Sequence, residues 1–324
     1  MERWSAPKRV GFFVCITLLL ITSFFLFKVE KTFSLMNLPI FSKIIHLAND
    51  EEKVPQEKNR IDILLLGIRG KDDIENGGYL TDTIMVFSLK TDARTASLVS
   101  IPRDLYLTIP GLYKMEKINA AYAFGKEKNG DGATPARLAV RKATGINIDY
   151  VVTADFSAFK KLIDIVGGID VYVPHDFSEP LQWGNEFFVP RGMNRMNGDV
   201  ALYYARSRYS TNDFDRARRQ QDILEALANR LVSGKTLASP VTISKVLDAV
   251  SDGVETDIDF VTMLGLLKYT KTVTADDITR MVIDDSEGGL LVSSHINNMY
   301  VLYPRMGIEN YSEIKQRIAG LFSS

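Results

Sequence analysis

The first pattern along the chain is an apolar or weakly polar run over residues 10–27, preceded by Arg3, Lys8 and Arg9 and stopped by Lys28. As a helix rising about 1.5 Å per residue it reaches roughly 27 Å, enough to cross a bilayer core. The run ends in Phe24, Phe25, Leu26 and Phe27 with no small-residue cleavage pattern behind it. It therefore predicts an uncleaved transmembrane anchor rather than a removed signal peptide. The cationic tail 1–9 favours the cytoplasm, which places everything after the anchor outside. Residues 28–60 begin apolar and then turn to Asn, Asp, Glu, Lys, Gln and Pro, the composition of a juxtamembrane segment followed by a solvated linker. The folded domain is expected over 61–324.

Within that domain, residues 61–67 form a short apolar run closed by Gly67, the pattern of a buried strand. Residues 69–78 are polar and Gly-rich, a loop. Two strand-like runs, 83–89 and 96–101, are joined by the short polar connection 90–95, which predicts an antiparallel hairpin. Helical patterns cover 133–144, 156–166, 216–231, 241–250, 260–270 and 311–322, and further strands are expected at 169–173 and 278–283. Strands interleaved with helices predict an α/β fold, an α-β-α layered domain with a central mixed β-sheet. One N-terminal transmembrane helix precedes it.

A hairpin turn centred between Asp92 and Ala93 sets Lys90 opposite Thr95 and, at the far end, Asp82 opposite Arg103. Pro102 lacks a backbone donor and stops the ladder there. A carboxylate and a guanidinium then face each other at one end of the sheet, either as a structural ion pair or as part of a site.

The helix at 216–231 carries Arg216, Gln220, Ile223, Leu227 and Leu231 on one stripe, and its apolar half faces a core. Arg216 and Gln220 are thus directed inward, while Arg218 lies off the stripe at the right spacing for Asp222. Asp213 suits the helix N-cap. An inward guanidinium needs an anion. Arg206, Arg208, Arg216 and Arg219 outnumber Asp213 and Asp215, so the pattern favours an external anion, with planar donors suited to phosphate.

Composition narrows the chemistry. Lys and Arg total 39 against 40 Asp and Glu, a net charge of -1, which argues against nucleic acid as the partner. The one cysteine, Cys15, excludes an intramolecular disulfide and a Cys-based zinc site. A P-loop, HExxH and GxSxG are all absent. Carboxylates, arginines and hydroxyls are left to act.

Several spaced motifs then occur in order: Leu64 to Gly67; Thr81, Asp82 and Thr83; Ser100 to Asp104; Lys117, Ile118 and Asn119; Gly167 to Val171; Tyr204 to Arg208; Asp213 to Arg216; and Arg219 with Gln220. Together they resemble the LytR-CpsA-Psr (LCP) family of bacterial cell-envelope glycopolymer transferases. The resemblance implies transfer of a glycopolymer from a polyprenyl-pyrophosphate carrier to peptidoglycan, at the cell membrane and with Mg2+ assisting. It implies that Asp82 holds the metal or acts as base, and that Arg103, Arg206, Arg208 and Arg216 clamp the pyrophosphate in one cleft with Asp82. Asp104, Asp213, Arg219 and Gln220 would support substrate binding. One departure stands out: many members carry an aspartate just after the first strand, where this chain reads Gly67, Ile68, Arg69. The second acidic metal ligand is left open, with Asp72 and Asp73 as candidates. A polyprenyl-pyrophosphate phosphohydrolase and a non-catalytic envelope-binding or regulatory protein are the alternative readings.

Overall fold

A computed structural model describes residues 59–92, 95–182, 184, 186–232, 253–259, 262, 266 and 277–322. The expected tail and anchor, the linker up to residue 58, the helix at 241–250, nearly all of that at 260–270 and the side chain of Leu231 lie outside the described residues. Among the described residues no helix is long and apolar enough to cross a membrane.

In chain order the elements open with β1 (Arg60–Ile68), a 3-10 turn (Lys71–Asn76), β2 (Thr81–Lys90), β3 (Ala96–Ser100), β4 (Tyr106–Ile109) and β5 (Lys114–Lys117). Next come α1 (Ala120–Asn129), α2 (Ala133–Thr144), β6 (Tyr150–Asp155), α3 (Phe156–Ile165) and β7 (Ile169–Val173). β8 (Phe177–Glu179), β9 (Phe187–Val189), β10 (Gly192–Met196), α4 (Gly198–Arg206) and α5 (Asp213–Val232) follow. The last are β11 (Val254–Thr256), β12 (Ile278–Val282), β13 (Leu291–Ile296), β14 (Met299–Pro304) and α6 (Ser312–Leu321). The loop expected at 69–78 thus contains a helical turn, broken at Asp73.

Two compact units result. The unit made of Ile61–Leu89, Ser97–Phe156 and Thr279–Ser324 holds a sheet with strands in the order β6-β1-β2-β3-β12. β1 and β6 are parallel, from Ile63 opposite Tyr150 to Ile68 opposite Asp155. β1 and β2 run antiparallel: Thr91 N–H donates to Asn59 O at 2.8 Å, and Gly67 lies beside Thr83. A Cβ added at Gly67 would come within 2.9 Å of Thr83 Cβ, so the glycine that closes the first apolar run is required by this strand contact. The sheet is therefore mixed. Every residue of β3 is buried, Ser97 and Ser100 included, as expected of a strand covered on both faces. Its core is built from Ile63, Leu64, Ile84, Val86, Leu98 and Val99.

Helix α2 presents Ala136, Ala139, Val140 and Ala143 as a buried small-residue face, and α1 and α6 pack against it. The β13–β14 hairpin is joined to the loop after β3: Leu302 N–H donates to Asp104 O at 2.9 Å. The β4–β5 hairpin is fastened by Glu309, whose Oε1 accepts from Thr108 N–H at 2.5 Å while Oε2 pairs with Lys142.

The unit made of Ser157–Ile278 with Lys90–Ala96 contains two short antiparallel ribbons, β7–β10 and β8–β9. In β7 Ile169, Val171 and Val173 are buried and alternate with exposed Asp170 and Tyr172. Helix α5 packs on β7 and on α4, with Ile223 and Leu227 buried as the stripe predicts.

Burial alone would raise the pKa of Glu309, but Lys142 and the Thr108 N–H hold it below the ordinary glutamate value. A depressed carboxyl contributes stability that is complete above its unfolded pKa and is lost as pH falls through the folded value. Glu309→Gln is therefore expected to cost about 1 kcal/mol at neutral pH. Urea unfolding of both proteins, stepped down from about pH 7 to pH 2, should show the difference shrinking only below the usual glutamate range.

Candidate functional site

The charged residues expected to act fall into two groups, one in each unit, and each group is described by itself.

In the unit with the large sheet, the hairpin register is the one expected from its turn. Ile101 N–H donates to Ile84 O at 2.9 Å. The same register carries on past the end of the ladder and brings Arg103 Nη1 to 2.5 Å from Asp82 Oδ1. The other oxygen, Oδ2, faces Arg69 Nε at 3.6 Å. Arg69 also reaches Asp73 Oδ2 at 3.5 Å. On the opposite side Arg103 Nε lies 3.7 Å from Asp104 Oδ2, and Lys117 Nζ donates to Asp104 Oδ1 at 2.6 Å. The result is a chain of alternating sign: Asp73, Arg69, Asp82, Arg103, Asp104, Lys117. Asp82 and Arg103 are mostly buried, at 16% and 15% side-chain exposure, whereas Arg69 keeps 31%.

The backbone around this chain is fixed as well. Thr81 N–H donates to Asn119 O at 3.1 Å, and Asn119 N–H returns to Arg103 O at 3.3 Å. The Lys117–Asn119 segment thus locks the start of β2 to the turn after β3. The sequence motif signals Lys117, but its pairing with Asp104 was not legible there. Asp104, expected to bind substrate, spends both oxygens on cations of the protein.

The second group sits where α4 meets α5. The last carbonyls of a helix have no partner within it, and at the end of α4 they are taken by side chains. Arg219 Nε donates to Tyr204 O at 2.9 Å, its Nη2 donates to Ser207 O, and its Nη1 reaches Thr211 Oγ1 at 3.1 Å. Gln220 Nε2 donates to Ala205 O at 3.2 Å, and Gln182 Nε2 to Arg206 O at 3.2 Å. Arg219 is 6% exposed, with its guanidinium carbon 4.8 Å from the Phe177 ring centroid. Burial lowers its pKa, opposed by the charges of Asp215 and Glu179 and by Tyr204. Arg219 and Gln220 therefore hold the backbone of the loop that carries Arg206 and Arg208.

From the other side, Glu179 at 0% exposure accepts through Oε2 from Tyr209 N–H (3.0 Å), Ser210 N–H (3.1 Å) and the Ser210 hydroxyl (3.2 Å). Gln182 Oε1 accepts from Arg208 N–H at 2.8 Å. Arg208 itself is exposed, Arg206 half-buried and Arg216 buried. No sequence pattern pointed to Glu179 or Gln182, because both act on main-chain atoms far along the chain.

Asp213 is not the N-cap of α5. Asn212 takes that place: its Oδ1 accepts from Asp215 N–H at 2.8 Å, the bond a cap makes to the third helical residue. Asp213 is free to grip Arg216 with both oxygens, at 2.9 and 3.1 Å. The inward guanidinium thus has an internal anion. Arg218 pairs with Asp215 at 2.9 Å, three residues back towards the helix N-terminus, where a carboxylate is favoured.

Mg2+ commonly takes one or two carboxylates with substrate phosphates. Asp82 offers it little, since each of its oxygens faces a guanidinium. The six residues of the alternating chain carry no net charge. Among the described residues no group of three or more His, Cys, Asp or Glu side chains could hold a metal ion. Neither Asp72 nor Asp73 completes such a group.

Known proteins of one family resemble this chain. A family model described as the LytR_cpsA_psr family matches residues 38–317. The polyisoprenyl-teichoic acid–peptidoglycan teichoic acid transferase TagV of Bacillus subtilis (strain 168) is 34% identical over 73% of this chain. The regulatory protein MsrR of Staphylococcus aureus (strain COL) is 34% identical over 61% of it. The chain spans 59% of the length of that TagV and 57% of that MsrR. The crystal structure of B. subtilis TagV superposes with a TM-score of 0.63 at 31% identity, covering 82% of this chain and 98% of that one.

The two roles seen among the arginines separate experimentally. Arg219→Ala strands the carbonyls of Tyr204 and Ser207 and should cost about 3 kcal/mol of stability. Arg208→Ala removes an exposed side chain and should change stability by less than about 0.5 kcal/mol. Thermal and urea unfolding of the two variants check the contrast.

Proposed function

The chain belongs to the LytR_cpsA_psr family, and we propose that it is a phosphotransferase moving a glycopolymer from a polyprenyl-pyrophosphate carrier to peptidoglycan. What supports the reading most directly is the α4–α5 loop. Its main chain is held at Arg206, Ser207, Arg208, Tyr209 and Ser210 by Gln182, Arg219 and Glu179. Arg208 is thereby presented to solvent on a fixed backbone, and fixed donors stabilise developing phosphate charge without reorganising. The transferase activity for which the TagV relative is named points the same way.

In the proposed reaction a hydroxyl of peptidoglycan attacks the phosphorus that bears the glycopolymer. A new P–O bond forms, and the P–O bond to the bridging oxygen breaks. The bridging oxygen leaves with the electron pair as polyprenyl monophosphate. Phosphoryl transfer passes through a loose transition state that asks little of a base. Asp82, between two guanidiniums, is a weak one; its role is to orient the hydroxyl, whose proton passes to the departing phosphate. Arg103 beside it offers its charge to the phosphate oxygens. Arg206, Arg208 and Arg216 are assigned to anion binding, with Asp213 orienting Arg216. In the same proposal residues 10–27 anchor the chain in the cell membrane, and the folded part faces outward, near a substrate whose lipid never leaves the bilayer.

The test is product analysis with a lipid-linked glycopolymer, with and without peptidoglycan. Transfer predicts a phosphodiester-linked conjugate only when peptidoglycan is present, and Arg208→Ala should slow its formation by about 100-fold. Release of polymer to water at equal rate in both arms would establish a hydrolase instead, and no turnover in either would favour a regulatory role such as the MsrR name suggests. For topology, protease added to wall-stripped intact cells should digest the folded part; complete protection would overturn the outward orientation.

A further inference from the structure

Arg69 stands at the end of β1, where its side chain meets the Asp82 carboxylate on the side away from Arg103. We propose that Arg69 is a phosphate-binding residue that supplies, as a fixed guanidinium, the positive charge a divalent cation would otherwise bring to Asp82. This inference deepens the phosphotransfer reading and rests on it for the identity of the ligand, a phosphate ester.

Three observations carry it. First, the Asp82 carboxylate is saturated with positive charge, since Arg103 holds Oδ1 and Arg69 faces Oδ2. Adding a dication would mean displacing one of these partners or placing two like charges side by side.

Second, Arg69 is not consumed by those contacts. Only Nε and Nη1 are engaged, by Asp82 and Asp73, and both separations exceed 3.4 Å. A guanidinium has five N–H donors in a planar fork. With 31% of the side chain exposed, its remaining edge is open to a ligand's oxygens in the bidentate manner that arginine offers phosphate.

Third, Arg69 is held in place from behind. Gly70 N–H donates to Gly78 O at 3.0 Å, closing the loop that carries Asp73. Gly70 adopts a positive φ of 116°, and a Cβ on Gly78 would lie 2.2 Å from Gly70 O. Asn76 Nδ2 in turn holds Asp73 Oδ1 at 2.6 Å. Asp73 is thus a buttress for Arg69 rather than a spare metal ligand.

Charge arithmetic predicts what one substitution would do. With Arg69 the six-residue chain is neutral; Arg69→Asp moves it to a net charge of −2 and sets a second carboxylate against Asp82. That variant should acquire a cation site that the parent lacks.

The experiment uses the full chain in detergent and Mn2+ as the probe, read by loss of the free-ion resonance signal and by thermal midpoint. The parent is expected to take up no Mn2+ at millimolar concentration, with the same midpoint in Mn2+ or chelator. Arg69→Asp should bind about one equivalent and melt higher with Mn2+. Arg69→Asn, which removes the cation without adding a charge, serves as the second variant if Arg69→Asp does not fold. It should bind Mn2+ more tightly than the parent. Transfer by the parent should persist in chelator, fall about 100-fold in Arg69→Ala and return in large part in Arg69→Lys. Mn2+ uptake by the parent that disappears in Asp82→Asn would overturn the inference, as would folded Arg69 variants that bind no more than the parent. Chelator-sensitive transfer by the parent would overturn it too. If the parent transfers nothing in any buffer while the Mn2+ contrast holds, the phosphotransfer reading fails and the displacement of the metal by Arg69 stands.

Discussion

A mostly buried carboxylate has to be met by positive charge, and Asp82 imposes that requirement at the start of β2. It is satisfied from two directions: across the hairpin by Arg103, and from the end of β1 by Arg69. Both neighbours then need anions of their own, which come from Asp104 and Asp73. Lys117 closes the series. The turn after β3, the loop after β1 and the segment leading into α1 are therefore each tied to one carboxyl group. In a medium of low effective dielectric such a series tolerates the loss of an end far better than the loss of a middle member.

A comparable logic governs α4 and α5, with main-chain dipoles in place of charges. The terminal carbonyls of α4 are hidden from water and must find donors. Arg219, Gln220 and Gln182 provide them, and the loop that follows inherits its path from those bonds. A long cationic side chain serves well here because its stem and ring-stacked face are apolar while its edge donates to several carbonyls at once.

How much of this could be read from sequence depended on the range of the interaction. The β2–β3 register was legible because a short polar turn and alternate strand positions determine it locally, so Asp82 and Arg103 could be paired in advance. The helices at 133–144 and 156–166 and the strand at 169–173 were equally local. Arg219 is different. Its spacing along α5 marked it as one of a cluster of cations, yet its role is set by carbonyls of another helix, which leave no trace in side-chain pattern. Asp213 suited the cap by residue type, yet Asn212 takes that place and Asp213 instead meets the need of Arg216 for a carboxylate. Short ribbons such as β4–β5 and β8–β9 have too few residues for a period to emerge. Arg69 was visible as an oddity of the motif; its contact with Asp82 required the sheet.

The loop between α4 and α5 is gripped almost wholly through its amide groups: Glu179 and Gln182 bind N–H groups of residues 208–210, and Arg219 and Gln182 bind carbonyls of residues 204–207. Amides are common to all residues, so this scaffold does not register which side chains the loop displays at 208 and 209. Reach, charge and aromatic character at those positions can be exchanged while the loop keeps its course. Selection for a different ligand could therefore act on these two positions without having to rebuild the fold beneath them.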